Sequence, residues 1–156
     1  MKKIATALAA ISILLLSCAK NNSGYTPCTD VSPASEDSTM RAFCQKDTIT
    51  AVKDTFGLYY QVITPGTGAV PNLNSIVSVR YTGSLLNGTV FDKEDSTISF
   101  PLNSVIAGWQ IGIPYIKKGG HIKLIIPSAY AYGCTGYASI PPNAILYFDI
   151  QLMDVH

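Results

Sequence analysis

The chain has 156 residues, 47% of them hydrophobic and 13% charged, with 11 Lys and Arg against 10 Asp and Glu for a net charge of +1. That length fits about one domain, and the hydrophobic content excludes a disordered chain. The balanced charge argues against a nucleic-acid binder, which needs a basic excess to displace counterions from phosphates.

Residues 1–17 read as a signal peptide. Lys2 and Lys3 form a positive start, followed by an apolar run over 4–16 that is too short to span a bilayer as a helix. Leu15-Leu16-Ser17-Cys18 resembles the bacterial lipobox, which makes Cys18 the expected lipidation site. Ala19 after it leans the anchor toward the outer membrane. Cleavage removes Lys2 and Lys3, which takes the net charge from +1 to −1. A near-neutral chain needs acyl groups, rather than a basic patch, to stay on a membrane.

Residues 18–47 are expected to form a lipidated tether and a short helix. Asn21-Asn22-Ser23-Gly24 suits a flexible spacer. Ser32-Pro33 pairs an N-cap with proline at the first helical position, predicting a helix over about 33–43 with Glu36 and Asp37 near its positive end. Cys28 and Cys44 flank that helix. In an oxidising compartment, local closure favours a disulfide joining them over free thiols or pairing with Cys134. Cys134 is then a free thiol.

Residues 48–156 read as one domain of strands broken by turns. The stretch 57–63 is rich in β-formers and stops at Pro65-Gly66. Residues 76–81 alternate apolar and polar, as a half-buried strand does. Asn87-Gly88 between Leu85-Leu86 and Val90-Phe91 is a two-residue hairpin signal. Residues 98–100, 120–126 and 144–153 complete the strands. One helix is predicted over about 107–116, with Trp109, Ile113 and Ile116 on neighbouring turns and Pro114 limiting its length. Five or six mostly antiparallel strands with one short helix make an α+β domain. Gly108, Gly119, Gly120 and Gly133 are expected to serve tight backbone geometry.

The chemistry is defined partly by what the sequence lacks. It has no Gly-x-Ser-x-Gly, no phosphate-cradling loop and no Cys-x-x-Cys, and its two histidines, His121 and His156, lie far apart. No metal or cofactor is expected, and His121, in an alternating strand, is expected to face solvent. Aromatic and branched residues instead gather in or beside loops, and one carboxylate, Asp92, follows Phe91 directly. That combination predicts an apolar pocket with a few polar handles.

The motifs Val79-Arg80-Tyr81-Thr82-Gly83, Asn87-Gly88-Thr89-Val90-Phe91-Asp92, Val105-Ile106-Ala107-Gly108-Trp109, Ala131-Tyr132-Gly133, Ile140-Pro141-Pro142-Asn143-Ala144 and Phe148-Asp149 follow in that order. Together they resemble the FKBP-type peptidyl-prolyl cis–trans isomerases. The similarity runs from about residue 57 to the end. It implies a strongly twisted antiparallel half-barrel sheet wrapped around one short helix.

The resemblance also implies roles. Trp109 forms the pocket floor, and Tyr81, Phe91, Val105, Ile106 and Phe148 its walls. Tyr132 offers its phenol and Ile106 its backbone N–H to substrate carbonyls. Asp92 supplies the polar rim, bonded to the Tyr81 hydroxyl, and Ile140 caps the pocket. The second aromatic that the family often places near Phe100 aligns with Ile98, and Tyr137 stands where some relatives carry His.

The implied activity is X–Pro isomerisation in extracytoplasmic protein folding, with proline-containing polypeptides as substrates, macrolides as inhibitors and no cofactor. The N-terminal segment is too short for a long helical dimerisation arm, so a monomer is expected. An alternative is a proline-segment binding module or holdase with little turnover, which Ile98 in place of an aromatic favours. A third is a structural lipoprotein whose pocket is filled by its own tyrosine-bearing loop.

Overall fold

A computed structural model describes residues 27–156. The expected signal peptide, lipidation site Cys18 and spacer at Asn21 to Gly24 lie outside the described residues. In chain order the elements are α1 (Pro33–Lys46), β1 (Val52–Lys53), β2 (Tyr59–Thr64), β3 (Ile76–Leu85), β4 (Val90–Pro101), α2 (Ala107–Gly112), β5 (His121–Ile126) and β6 (Leu146–Val155). All six strands join one antiparallel sheet in the order β1-β2-β5-β6-β3-β4. This is the expected α+β architecture. No helix among the described residues is long and apolar enough to cross a membrane.

Strand periodicity assigns the two faces. Along β6, Leu146, Phe148, Ile150 and Leu152 are buried on the inner face, while Gln151 and Met153 alternate with them and are exposed. Ile122, Leu124 and Ile126 of β5 join the same inner core with Val77 and Val79. Helix α2 lies against this face, burying Trp109, and the 3-10 turn that follows it buries Ile113. Burying each such side chain contributes about 1.5–3 kcal/mol. Gly108 permits the close approach, because a Cβ there would collide with the Ile126 side chain. Pro114 sits in the 3-10 turn Ile113–Tyr115, so the α-helical part ends at Gly112.

The outer face is divided. Lys123 and His121 are partly exposed, and His121 Nε2 pairs with Asp149 Oδ1 at 2.6 Å rather than simply facing solvent. Ile125 instead sits between Tyr59 and Tyr147 in register and is buried. Helix α1 covers this apolar row with Met40 and Cys44, one turn apart on one face. Ser32 caps α1, its Oγ accepting the Ser35 N–H at 3.4 Å, with Pro33 at the first position as predicted.

Cys28 pairs with Cys134, not Cys44, across 106 positions, and Cys134 is therefore not free. Helix α1 continues to Lys46, and its straight run carries Cys44 about 16 Å from Pro33. The entropy of a flexible loop does not govern a rigid rod, and Cys44 serves as a buried packing residue. Residues 98–100 are not a separate strand but the end of the long β4. The polar run from Asp92 to Thr97 stays in strand because β4 is the edge of the sheet and mostly solvated. Strand β1, only two residues long, left no periodic signal.

Candidate active site

The site lies where β3, β4, β6, α2 and two loops converge. A cavity of about 330 Å³ is lined by Tyr81, Phe91, Asp92, Phe100, Ser104, Val105, Ile106, Trp109, Tyr132 and Phe148. Eight of these were predicted from the sequence. Trp109, only 4% exposed, stands at its base. The edges of Tyr81, Phe148 and Phe100 meet it at centroid distances of 5.1, 5.3 and 6.3 Å. Phe91 meets Phe148 edge-on at 5.6 Å. Such edge-to-face pairs add roughly 0.5–1.5 kcal/mol each beyond area burial, which favours a rigid aromatic cup. The Trp109 Nε1–H is buried and has no hydrogen-bond partner among the described residues.

Backbone geometry sets these rings. Shifts in the β3–β4 register fall between Val79 and Tyr81 and between Gly83 and Ser84, either side of the pocket strand. Bulges bend a strand and re-aim its side chains. Gly83 leaves room for the walls: a Cβ there would stand 2.7 Å from Phe148 Cε1 and 2.8 Å from Phe91 Cε2.

The polar handles sit at the rim. The Tyr81 hydroxyl donates to Asp92 Oδ2 at 2.6 Å. Burial, together with that carboxylate, pushes the Tyr81 pKa far above its ordinary value, so the phenol stays a donor. Burial raises Tyr132 as well. Tyr132 stacks on the exposed Tyr137 at 5.1 Å and 13° between planes. Gln110 Nε2 donates to the Val105 carbonyl at 2.8 Å, fixing the turn that leads into α2. The Ile106 carbonyl accepts from the Trp109 N–H at 3.0 Å.

Ile140 is not among the cavity-lining residues. It is 6% exposed and packs in the main core, while its backbone exchanges hydrogen bonds with Tyr137 at 3.0 and 2.8 Å. Phe100 and Ser104 were missed. Phe100, rather than a residue at position 98, supplies the second aromatic, and Ile98 packs against the core on the same strand. Strand alternation puts 98 and 100 on one face and makes the aromatic choice legible. The cavity is open rather than filled by the chain's own loop: Tyr130 turns to Phe56 at 6.5 Å, and Tyr137 is 64% exposed. Among the described residues no cluster of His, Cys, Asp and Glu could hold a metal ion.

Comparisons with known proteins identify the family. Residues 68–153 match the family profile of the FKBP-type peptidyl-prolyl cis-trans isomerases. The chain is 47% identical over 102 residues to the FKBP-type peptidyl-prolyl cis-trans isomerase FkpA of Escherichia coli K12, covering 64% of this chain and 38% of that protein. It is 41% identical over 104 residues to a probable FKBP-type isomerase of Haemophilus influenzae, covering 64% of this chain and 43% of that one. The chain thus spans about two fifths of the length of these curated relatives. The crystal structure of Escherichia coli FkpA superposes with a TM-score of 0.70 at 39% identity, over 79% of this chain and 60% of that one. A peptidyl-prolyl isomerase from Pseudomonas syringae pv. tomato gives a TM-score of 0.68 at 34% identity, over 81% of this chain and 98% of that one. By its fold, its aromatic pocket and its sequence, the chain belongs to the FKBP-type peptidyl-prolyl cis-trans isomerases.

Proposed function

We propose that this chain catalyses cis–trans rotation about X–Pro bonds in polypeptides that fold outside the cytoplasm. The observation that carries the reading is the aromatic cup over Trp109 with polar groups confined to its rim. Resonance keeps the X–Pro bond planar with a barrier of about 18–20 kcal/mol. Uncatalysed exchange takes tens to hundreds of seconds. The planar amide is more dipolar than the twisted one, and water stabilises it more. A dry cup holding the prolyl ring removes that preference, and binding the twisted amide more tightly than either planar isomer lowers the barrier. No nucleophile or proton transfer is needed. The Tyr132 phenol and the Ile106 N–H hold the flanking substrate carbonyls, and the Tyr81–Asp92 pair fixes the rim.

Macrolides, acting as inhibitors, compete for the same cavity. The chain acts as a monomer, tethered through an acylated Cys18 to the bacterial outer membrane. Mass spectrometry of the mature protein reads this directly: a diacylglyceryl-modified Cys18 at the N-terminus supports the anchor, and an unmodified N-terminus elsewhere refutes it. The activity is tested by a protease-coupled assay on a panel of X–Pro tetrapeptides. Turnover well above background, reduced at least tenfold by Trp109→Ala or Phe148→Ala, is the expected result. Binding without rate enhancement supports the alternative of a binding module or holdase. That alternative drew on Ile98, and Phe100 now fills the aromatic place.

A further inference from the structure

The first described residues of the chain are fastened to the loop that carries the pocket residue Tyr132. Cys28 is bonded to Cys134, two positions beyond Tyr132. Asp30 Oδ1 accepts the Cys134 N–H at 2.8 Å, and a side chain at Gly133 would collide with that carboxylate. At the other end of the same loop, Glu36 Oε2 accepts the Ser128 N–H at 2.9 Å. Glu36 is a helix residue with a charged side chain, yet it is only 7% exposed. A carboxylate is withdrawn from water to that extent when it holds something, and here it holds the backbone of the loop that bears Tyr132.

Between Ser128 and Cys134 the loop makes two short 3-10 turns and belongs to no strand. Among the described residues its one sheet-like contact is the Tyr137–Ile140 bridge beyond Cys134. The segment from Cys28 to Glu36 therefore grips the loop on both sides of Tyr132. It does so from outside the region that the family profile matches, which begins at residue 68. A wall carried by a loop with so few ladder bonds depends on such support for its geometry.

We propose that Cys28, Asp30 and Glu36 are positioning residues for the Tyr132 wall, so that reduction of the Cys28–Cys134 bond loosens this wall and weakens turnover. The proposal rests on the isomerase reading above. A dithiol reductant supplies two electrons and two protons; the S–S bond breaks, thiols form on Cys28 and Cys134, and the reagent closes into its own disulfide. Cys44 is buried on the sheet-facing side of α1 and takes no part.

The test uses the full chain, purified in detergent under oxidising conditions. Amide hydrogen exchange and a protease-free isomerisation assay are recorded before and after dithiothreitol. Reduction is expected to raise exchange over residues 128–137 while 121–126 and 146–155 stay protected, and to lower kcat/KM about tenfold, the order expected for a wall displaced by a fraction of an ångström. In Tyr132→Ala, reduction should cause no further fall. Asp30→Ala, which keeps the disulfide, should reproduce part of the loss, and Asp30→Asn, which keeps an acceptor oxygen, should restore it. Unchanged exchange over 128–137 overturns the proposal. So does an equal fall in kcat/KM with and without the Tyr132 ring. If reduction opens the whole sheet, the Asp30 pair decides: equal activities in Asp30→Ala and Asp30→Asn overturn it. An oxidised chain with no turnover refutes the isomerase reading, and the exchange result still decides whether the strap holds the loop.

Discussion

Tyr81 carries the polar side of the pocket on one hydrogen bond, and its protonation decides whether that bond exists. Burial first, and the Asp92 carboxylate second, raise its pKa. A raised tyrosine pKa keeps the neutral, donating form to higher pH. Turnover is therefore expected to stay flat as the pH rises to about 10, where an ordinary tyrosine is half ionised. A pH–rate profile that falls between neutrality and that point contradicts this. Tyr81→Phe leaves the Asp92 carboxylate without its donor and should lower kcat/KM several-fold, with Trp109 fluorescence reporting an intact cup.

Asp37 titrates in the opposite sense. Hydrogen bonds from Lys53 and Tyr59, with Arg41 adding to them, lower its pKa from 3.8 to about 2. The folded state thus prefers the ionised form, and the contribution to stability is complete above about pH 4 and lost as the pH falls toward 2. The gap in melting temperature between the wild-type chain and Asp37→Asn should close over that window. A gap unchanged at pH 2 contradicts the assignment. At this scale the sequence disclosed most of the site, because Tyr81, Phe91, Trp109 and Phe148 stand in ordered motifs. Asp37 and Glu36 were legible as helix-start carboxylates, but their distant partners, Lys53 and the Ser128 N–H, were not.

Among the elements, β3 and α2 carry the tightest fits. Gly83 faces the rings of Phe148 and Phe91, and Gly83→Ala forces both out of place. Overpacking of this kind costs about 1–3 kcal/mol, and here the displaced rings are the pocket walls. Denaturant unfolding should show that loss together with a fall in turnover; normal stability with normal turnover would contradict the close contact. Strand β3 was legible from its alternation, and β5 and β6 from their apolar character. Strand β4 was split in two because a solvated edge tolerates the polar run between Asp92 and Thr97, which removes the pattern that marks a strand. Ile140 shows the reverse problem. Its motif was visible, yet Ile140 is buried in the core cluster that also holds Trp109 and Phe148 and is not among the residues lining the cavity.

At the scale of the whole molecule, the N-terminal strap and the sheet form one unit. The Cys28–Cys134 bond spans 106 positions. Closing a loop of that length constrains the unfolded chain, and reduction is expected to cost about 2–4 kcal/mol, readable as a lower urea midpoint. An unchanged midpoint contradicts that role. This pairing was not legible beforehand. Sequence proximity favoured Cys44, and only the folded helix shows the Cys44 side chain of α1 packed against the sheet while Cys28 reaches the loop that carries Tyr132.

As proposed, the aromatic cup turns X–Pro bonds over rather than merely holding proline. Two-dimensional exchange NMR on an X–Pro peptide, with the oxidised full chain present at substoichiometric amounts, tests it most directly. Exchange cross-peaks between the cis and trans resonances are expected, and they should vanish when Trp109→Ala replaces the wild-type chain. Peptide shifts that reveal binding, with no cross-peaks at mixing times where the wild-type chain should exchange them, would contradict it and leave a proline-binding module.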